Sequence, residues 1–120
     1  MKPLTHSEEQ IMQHLWDIKK GLVKDLLDEM PSPKPAYNTV STFVRILEKK
    51  GFVKHRVIGK SHEYFPIVTK DEYRRFTIKK LLSHYFGGSF VQMTSFFAKK
   101  EKLNQNDIEK ILNEVKQEII

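Results

Sequence analysis

The spacing of apolar side chains changes near Gly51, from the period of a helix to that of a β-strand. Before this point, apolar residues recur three and four positions apart. Residues 52–58 are instead rich in aromatic and β-branched side chains, and residues 62–67 suit a return strand. Gly59 and Lys60 between them fit a two-residue hairpin turn. The chain is therefore predicted to be mainly α-helical with one small β-hairpin.

Three helices are predicted before the hairpin, covering residues 6–18, 23–30 and 37–50. Thr5 and Glu8 fit a capping box at the start of the first helix. Gly21 is expected to supply the left-handed residue that ends it. Prolines at 31, 33 and 35 end the second helix, because proline lacks the N–H that a helix interior requires.

The third predicted helix carries hydrogen-bonding side chains away from its apolar stripe: Asn38, Thr39, Ser41, Thr42, Arg45 and Lys49. Glutamate is nearly absent among them, whereas a helix face selected only for solvent exposure usually mixes in more of it. A major groove admits one α-helix, in which Arg can pair with guanine and Asn with adenine. These residues are therefore predicted to contact DNA bases and phosphates.

The positive charge of the chain is concentrated in one stretch. The net charge is +6, and residues 45–60 hold six basic side chains and a single acid, Glu48. Such a patch suits a polyanion such as DNA. A solvated basic surface without a partner explains the charge alone equally well.

The order of these elements is that of a winged helix-turn-helix domain: a helix, a short helix, a polar-faced helix and a basic hairpin. Such a domain is predicted for residues 1–69. The wing would reach the neighbouring backbone or minor groove through Arg56, Lys60, Ser61 and His62. His62 fits an ordinary strand histidine as well as a phosphate contact.

Residues 70–120 are predicted to form a three-helix dimerisation domain. Three amphipathic helices of this size bury little core alone, and pairing with a second copy would bury their apolar side chains. The expected interface residues are Leu82, Tyr85, Phe86, Phe90, Phe96, Phe97, Ile111 and Val115. The alternative is a monomer in which this half folds back onto the winged helix.

The sequence resembles the penicillinase-repressor family of β-lactamase and methicillin-resistance repressors along nearly its whole length. The run from Tyr37 through Thr42, followed by Lys50 and Gly51, is the most specific part of the resemblance. Further matching residues are Leu4, Thr5, Glu8, Ile11, Met12, Leu15, Trp16, Gly21, Val23, Asp25, Leu47, Tyr64, Phe65 and Pro66.

The resemblance implies a homodimer on a palindromic double-stranded DNA operator, with half-sites like TACA and TGTA, that represses resistance or stress genes. It also implies a membrane sensor-protease that cuts the repressor at an Asn-Phe bond. This bond falls at Phe96 and Phe97 here, so its first residue departs from the family pattern. An arginine common in the family's third helix is Ile46 here, beside Arg45.

Several functions are excluded or disfavoured. The chain has no cysteine, which removes disulfides, thiolate metal sites and the cysteine pairs of copper-responsive relatives. The five histidines lack metal-ligand spacing, and no catalytic arrangement is recognisable, so we expect no metal, cofactor or enzymatic activity. With no signal peptide or membrane span, a cytoplasmic location is expected. A winged-helix protein-interaction module without specific DNA binding is the alternative function.

Overall fold

The computed structural model describes residues 1–100 and 104–119, without the side chains of residues 115, 116, 118 and 119. These residues form six α-helices and one two-stranded antiparallel sheet, which confirms the predicted mainly α class with a hairpin. The elements are α1 (His6–Ile18), α2 (Val23–Glu29), α3 (Tyr37–Lys49), β1 (Val53–Ile58), β2 (Ser61–Pro66), α4 (Lys70–Tyr85), α5 (Phe90–Lys100) and α6 (Gln105–Ile119).

The chain divides into two compact units, Met1–Phe76 and Thr77–Ile120. The first unit has a core to which the first three helices and both strands contribute. Its buried side chains are Ile11, Met12, Leu15, Val23, Leu26, Val40, Val44, Leu47, Phe52, Val53 and Tyr64. Each large apolar side chain buried in this way contributes about 1.5–3 kcal/mol to folding.

The start of α1 differs from the predicted capping box. The Thr5 hydroxyl accepts a hydrogen bond from the Glu8 N–H at 3.3 Å, as expected. The Glu8 carboxylate, however, is buried and accepts from the Lys50 ammonium at 2.7 and 2.8 Å. Lys50 also donates to the Pro3 carbonyl at 3.1 Å. The reciprocal half of the predicted box is thus replaced by an ion pair between α1 and the end of α3.

Gly21 does not end α1 in the predicted way, because the left-handed residue is Lys19, with φ of 73°. Gly21 instead pairs with β2: its N–H donates to the Tyr64 carbonyl at 2.9 Å, and the Tyr64 N–H donates to the Gly21 carbonyl at 2.8 Å. A Cβ at Gly21 would come within 2.8 Å of Ile18 Cδ1. Glycine therefore leaves room for the Ile18 and Asp25 side chains, and the separate pairing with Tyr64 places the start of α2 beside the hairpin.

The hairpin closes through the predicted turn, with Gly59 at φ of 61°. Arg56 pairs with Glu63 across the strands, and Val57 pairs with His62. Because neighbouring pairs point to opposite faces of a sheet, the side chains of Arg56 and His62 lie on different faces of the hairpin.

The first turns of α4 pack within the first unit. Tyr73 contacts Phe52 edge to face at 5.7 Å, and its hydroxyl donates to Glu9 Oε1 at 2.5 Å. Trp16 packs on Tyr73, and its indole N–H donates to the Val68 carbonyl at 2.9 Å. The division between the units therefore falls inside α4, after Phe76, seven residues beyond the predicted limit of the winged helix at 69.

The second unit consists of the remainder of α4 followed by α5 and α6. Gly87 and Gly88, both at positive φ, separate α4 from α5. Ser89 caps α5 by accepting from the Gln92 N–H at 3.1 Å, and Asn104 caps α6 by accepting from the Asp107 N–H at 2.9 Å. Phe86 and Phe96 pack together with ring centroids 5.7 Å apart.

Candidate nucleic-acid interface

The polar face of α3 is formed by Asn38, Ser41, Thr42, Arg45 and Lys49. At 3.6 residues per turn, these side chains lie within an arc of about 100° around the helix axis. Ser41 is half-buried and the other four are exposed. Val40, Val44 and Leu47 are buried, so the core determines which face of α3 is presented outward. We call this surface the α3 polar face.

Two members of the α3 polar face are oriented by the helix itself. The Thr42 hydroxyl donates to the Asn38 carbonyl at 2.8 Å, which leaves its lone pairs free to accept. Arg45 Nε donates to the Ser41 carbonyl at 3.3 Å. The two terminal nitrogens of this guanidinium remain for a bidentate contact such as that with guanine.

Thr39, which was also predicted to contact DNA, lies at the edge of this group. Around the helix axis it is about 60° beyond Thr42, on the side away from Ser41. Thr39 lines a groove that α3 forms with α1 and with the proline-containing turn after α2. Thr39 therefore lies between the α3 polar face and this groove.

The wing residues also separate into two groups. Lys60, Ser61 and His62 are exposed at and beside the hairpin turn. Arg56 is on the other face, where its Nε donates to Glu63 Oε1 at 2.7 Å. This ion pair neutralises part of the positive charge that the sequence assigned to the wing.

A polar cleft of about 320 Å³ lies between the start of α2, the start of α3 and the wing. It brings together Ser41 with Lys60, Ser61 and His62, all four of which were predicted to contact DNA. Its other lining residues are Leu22, Val23, Lys24, Tyr37 and Tyr64. Lys24 and Tyr37 were not predicted to contact DNA, although an aromatic residue directly before Asn38 was a signal in the sequence for Tyr37, which is exposed.

The face of the wing towards this cleft carries two stacked histidines. The rings of His55 and His62 are nearly parallel, with centroids 4.2 Å apart. His55 Nδ1 lies 2.6 Å from Glu48 Oε2 at the end of α3. Burial raises the pKa of the neighbouring Tyr64 hydroxyl, and the Glu48 carboxylate raises it further, so this phenol stays neutral at physiological pH. The sequence did not reveal this cluster, because its members come from three elements.

Among residues 1–100 and 104–119, no three His, Asp or Glu side chains are placed to hold a metal ion. In the same part of the chain, no helix combines the length and the hydropathy needed to cross a bilayer.

The second unit presents many large apolar side chains. Of the predicted interface residues, Tyr85 is 77% exposed, whereas Leu82 and Phe86 are half-buried. Others that are exposed are Phe90, Phe96, Phe97 and Ile111. The Val115 side chain lies outside the described residues. Exposed apolar residues that were not predicted for the interface are Ile78, Leu81, Val91 and Leu112.

The sequence is similar along most of its length to two bacterial regulatory proteins. The chain is 25% identical over 111 residues to the methicillin resistance regulatory protein MecI of Staphylococcus aureus strain N315, covering 92% of this chain and 90% of the relative. It is 26% identical over 116 residues to the penicillinase repressor of Staphylococcus aureus, covering 93% of this chain and 92% of the relative.

A solved structure shares the fold. The MarR family protein from Bacillus stearothermophilus superposes with a TM-score of 0.52 at 17% identity, covering 98% of this chain and 76% of its own. The predicted winged-helix architecture is thereby confirmed. The family model described as penicillinase repressor matches residues 4–117, nearly the whole sequence. The chain therefore belongs to the penicillinase repressor family.

Proposed function

We propose that this protein is a sequence-specific DNA-binding transcriptional repressor. The observation that carries the proposal is the α3 polar face, which presents Arg45, Lys49 and Asn38 to solvent beside an exposed, basic wing tip. A helix with this face fits the major groove, and a hairpin beside it reaches the flanking backbone or minor groove. Membership of a repressor family supports the same function.

Within the interface, we assign different roles to the two groups of residues. Asn38 and Arg45 suit base edges, because their side chains can make paired hydrogen bonds to adenine and guanine. Ser41, Thr42 and Lys49 suit phosphates and position the helix. At the wing, Lys60, Ser61 and His62 are assigned to the backbone. Arg56, which pairs with Glu63, contributes less than its charge suggests.

The second unit is proposed to form a homodimer, which would place two copies of α3 on a palindromic operator. None of its described side chains is buried, and its exposed aromatic residues include Tyr85, Phe96 and Phe97. Apolar side chains presented in this number are typical of an interface. A second copy would supply the apolar environment that these helices lack in the single chain.

The names of the relatives support control of antibiotic-resistance genes. A membrane sensor-protease that cuts between Phe96 and Phe97 is a proposal for induction. The two residues lie within α5, so cleavage there requires local unfolding of the helix. Cells treated with a β-lactam should then accumulate two fragments as target genes rise. Intact chain during full induction would exclude this route and leave the two phenylalanines as interface residues.

The function is tested by fluorescence anisotropy with a TACA/TGTA palindrome and a scrambled duplex of equal composition, at near-physiological salt. We expect a preference of about a thousandfold for the palindrome, within the range of specific binders. Affinity should fall steeply with salt, because phosphate contacts release counterions. Absence of DNA binding, with a salt-insensitive protein partner, would favour the interaction module instead.

A further inference from the structure

We propose that the cleft between α2, α3 and the wing binds one phosphodiester group of the DNA backbone, and that Lys24 and Tyr37 hold it together with Lys60 and Ser61. The proposal rests on the DNA-binding function proposed above. It adds a contact from α2, a helix to which the sequence assigned no role in binding.

The location of the cleft follows from the shape of the duplex. The major and minor grooves are separated by a sugar–phosphate backbone. A protein that places α3 in the major groove and the hairpin in the adjoining minor groove must let one backbone pass between them. The cleft lies between α3 and the wing tip, with Lys24 at its α2 side. A backbone phosphate is therefore the group that this surface meets.

The chemistry of the lining suits an anion. Lys24 and Lys60 carry positive charge, and Tyr37, Ser41 and Ser61 supply hydroxyl donors. Tyr37 is also the first residue of α3, whose first turn contains no acidic residue, so the positive end of the helix dipole adds to the field.

Three acidic side chains of the surrounding elements have partners of their own. Asp25 Oδ2 accepts from the Leu22 N–H at 2.8 Å. Glu63 pairs with Arg56 at 2.7 Å, and Glu48 contacts His55 at 2.6 Å. Within the described chain, the side chains that line the cleft include neither Asp nor Glu. The two lysines consequently act on an incoming phosphate without a competing carboxylate in the cleft.

The position of Lys24 is fixed by the fold. The pairing of Gly21 with Tyr64 joins the segment before α2 to the hairpin. Val23, next to Lys24, is buried in the core and anchors the first turn of α2. Lys24 itself is exposed, so its substitution removes a charge without disturbing packing.

The test compares Lys24→Ala with the wild type and with a matched control, Lys79→Ala, which removes the same charge from the second unit. We expect Lys24→Ala to weaken binding about tenfold on both the palindrome and the scrambled duplex, leaving their ratio unchanged. The slope of log affinity against log salt should decrease by about one. Tyr37→Phe, which removes only the hydroxyl, should show a smaller loss that is again equal on both duplexes.

Equal behaviour of the Lys24→Ala and Lys79→Ala proteins would overturn the proposal, as would a loss confined to the palindrome, which indicates base reading. Calorimetry of the free protein with inorganic phosphate separates the two sources of a phosphate group. Submillimolar binding that Lys24→Ala abolishes would assign the cleft to a free anion and overturn the DNA assignment. The wild-type preference for the palindrome tests the proposed function separately, so the two failures are distinguishable.

Discussion

The two units of this chain differ most in what their apolar side chains contact. In the first unit, Met12, Leu15, Leu26, Val44 and Leu47 are fully shielded from solvent. In the second, no side chain among the described residues beyond Thr77 is buried, although aromatic residues are frequent there. The first unit thus has a hydrophobic core as a single copy. The second has apolar helices, but none of its described side chains is buried.

The two units therefore use their surfaces in different ways. The first unit encloses a core of its own, and its outward surface carries polar side chains such as Arg45 and Lys60. The second unit leaves Tyr85, Phe96 and Phe97 unburied, which is costly in water unless another molecule covers them. This contrast supports the proposal that the first unit binds DNA and the second self-associates.

The largest expected effect is on the second unit. A charge at the proposed interface, as in Phe97→Asp, should weaken the free energy of dimer association by on the order of 4 kcal/mol, because a carboxylate would be buried without a partner. Sedimentation equilibrium measures this change. Ser95→Asp adds the same charge at an exposed polar position on the other side of α5 and should leave the dimer intact.

The fluorescence of Trp16, the single tryptophan, reports on the first unit during that experiment, since its indole contacts Val68 and Tyr73. It should be unchanged in the Phe97→Asp protein. Loss of the native emission together with the dimer would mean that the first unit does not keep its fold without the dimer.

The second effect is on the stability of the first unit. Lys50→Ala leaves the Glu8 carboxylate, whose side chain is 4% exposed, without its cation. We expect a loss of about 3 kcal/mol in the free energy of unfolding, at the lower end for such pairs because Lys50 is partly exposed. Urea denaturation followed by Trp16 emission measures it. The neighbouring exposed Lys49→Ala should change stability little, and an equal loss there would contradict a specific ion pair.

A third prediction concerns base reading by α3. Arg45→Ala should weaken binding to the palindrome by about 1–3 kcal/mol and relax its preference over the scrambled duplex. Anisotropy with both duplexes measures the two quantities. Equal weakening on both would make Arg45 a phosphate contact, and unchanged affinity would remove it from the interface.

The smallest effect is expected at the wing, where two basic residues allow a direct contrast. Lys60→Ala should reduce the salt slope by about one, in the manner of a phosphate contact. Arg56→Ala should reduce it less, because the Arg56 guanidinium already pairs with Glu63. A larger change in the slope for Arg56→Ala would contradict the division of the wing into two faces.

Much of the first unit could be predicted because its elements depend on local patterns. Helical spacing predicted α1 from His6 to Ile18 without error, and Gly59 with Lys60 predicted the turn of the hairpin. The α3 polar face followed in the same way, since residues three, four and seven positions apart share one side of a helix.

The features that sequence reasoning missed depend on contacts between distant residues. Glu8 and Lys50 are 42 positions apart, and Gly21 meets Tyr64 on another element. Local rules explained Glu8 as a cap and Gly21 as a helix end, and both explanations were wrong. The Glu8 carboxylate pairs with Lys50 instead, and the Gly21 backbone pairs with Tyr64. The roles of Lys24 and Tyr37 were hidden for the same reason, since the cleft exists only once α2, α3 and the wing are assembled.

If one unit reads DNA and the other pairs two copies, a full palindrome should bind differently from an equally long duplex in which one half-site is scrambled. Anisotropy at fixed salt gives the affinities, and sedimentation gives the number of chains bound. We expect two chains to bind the full palindrome in one step, with clearly weaker binding to the duplex with a single half-site. One chain per half-site, bound independently and with equal affinity, would contradict the account.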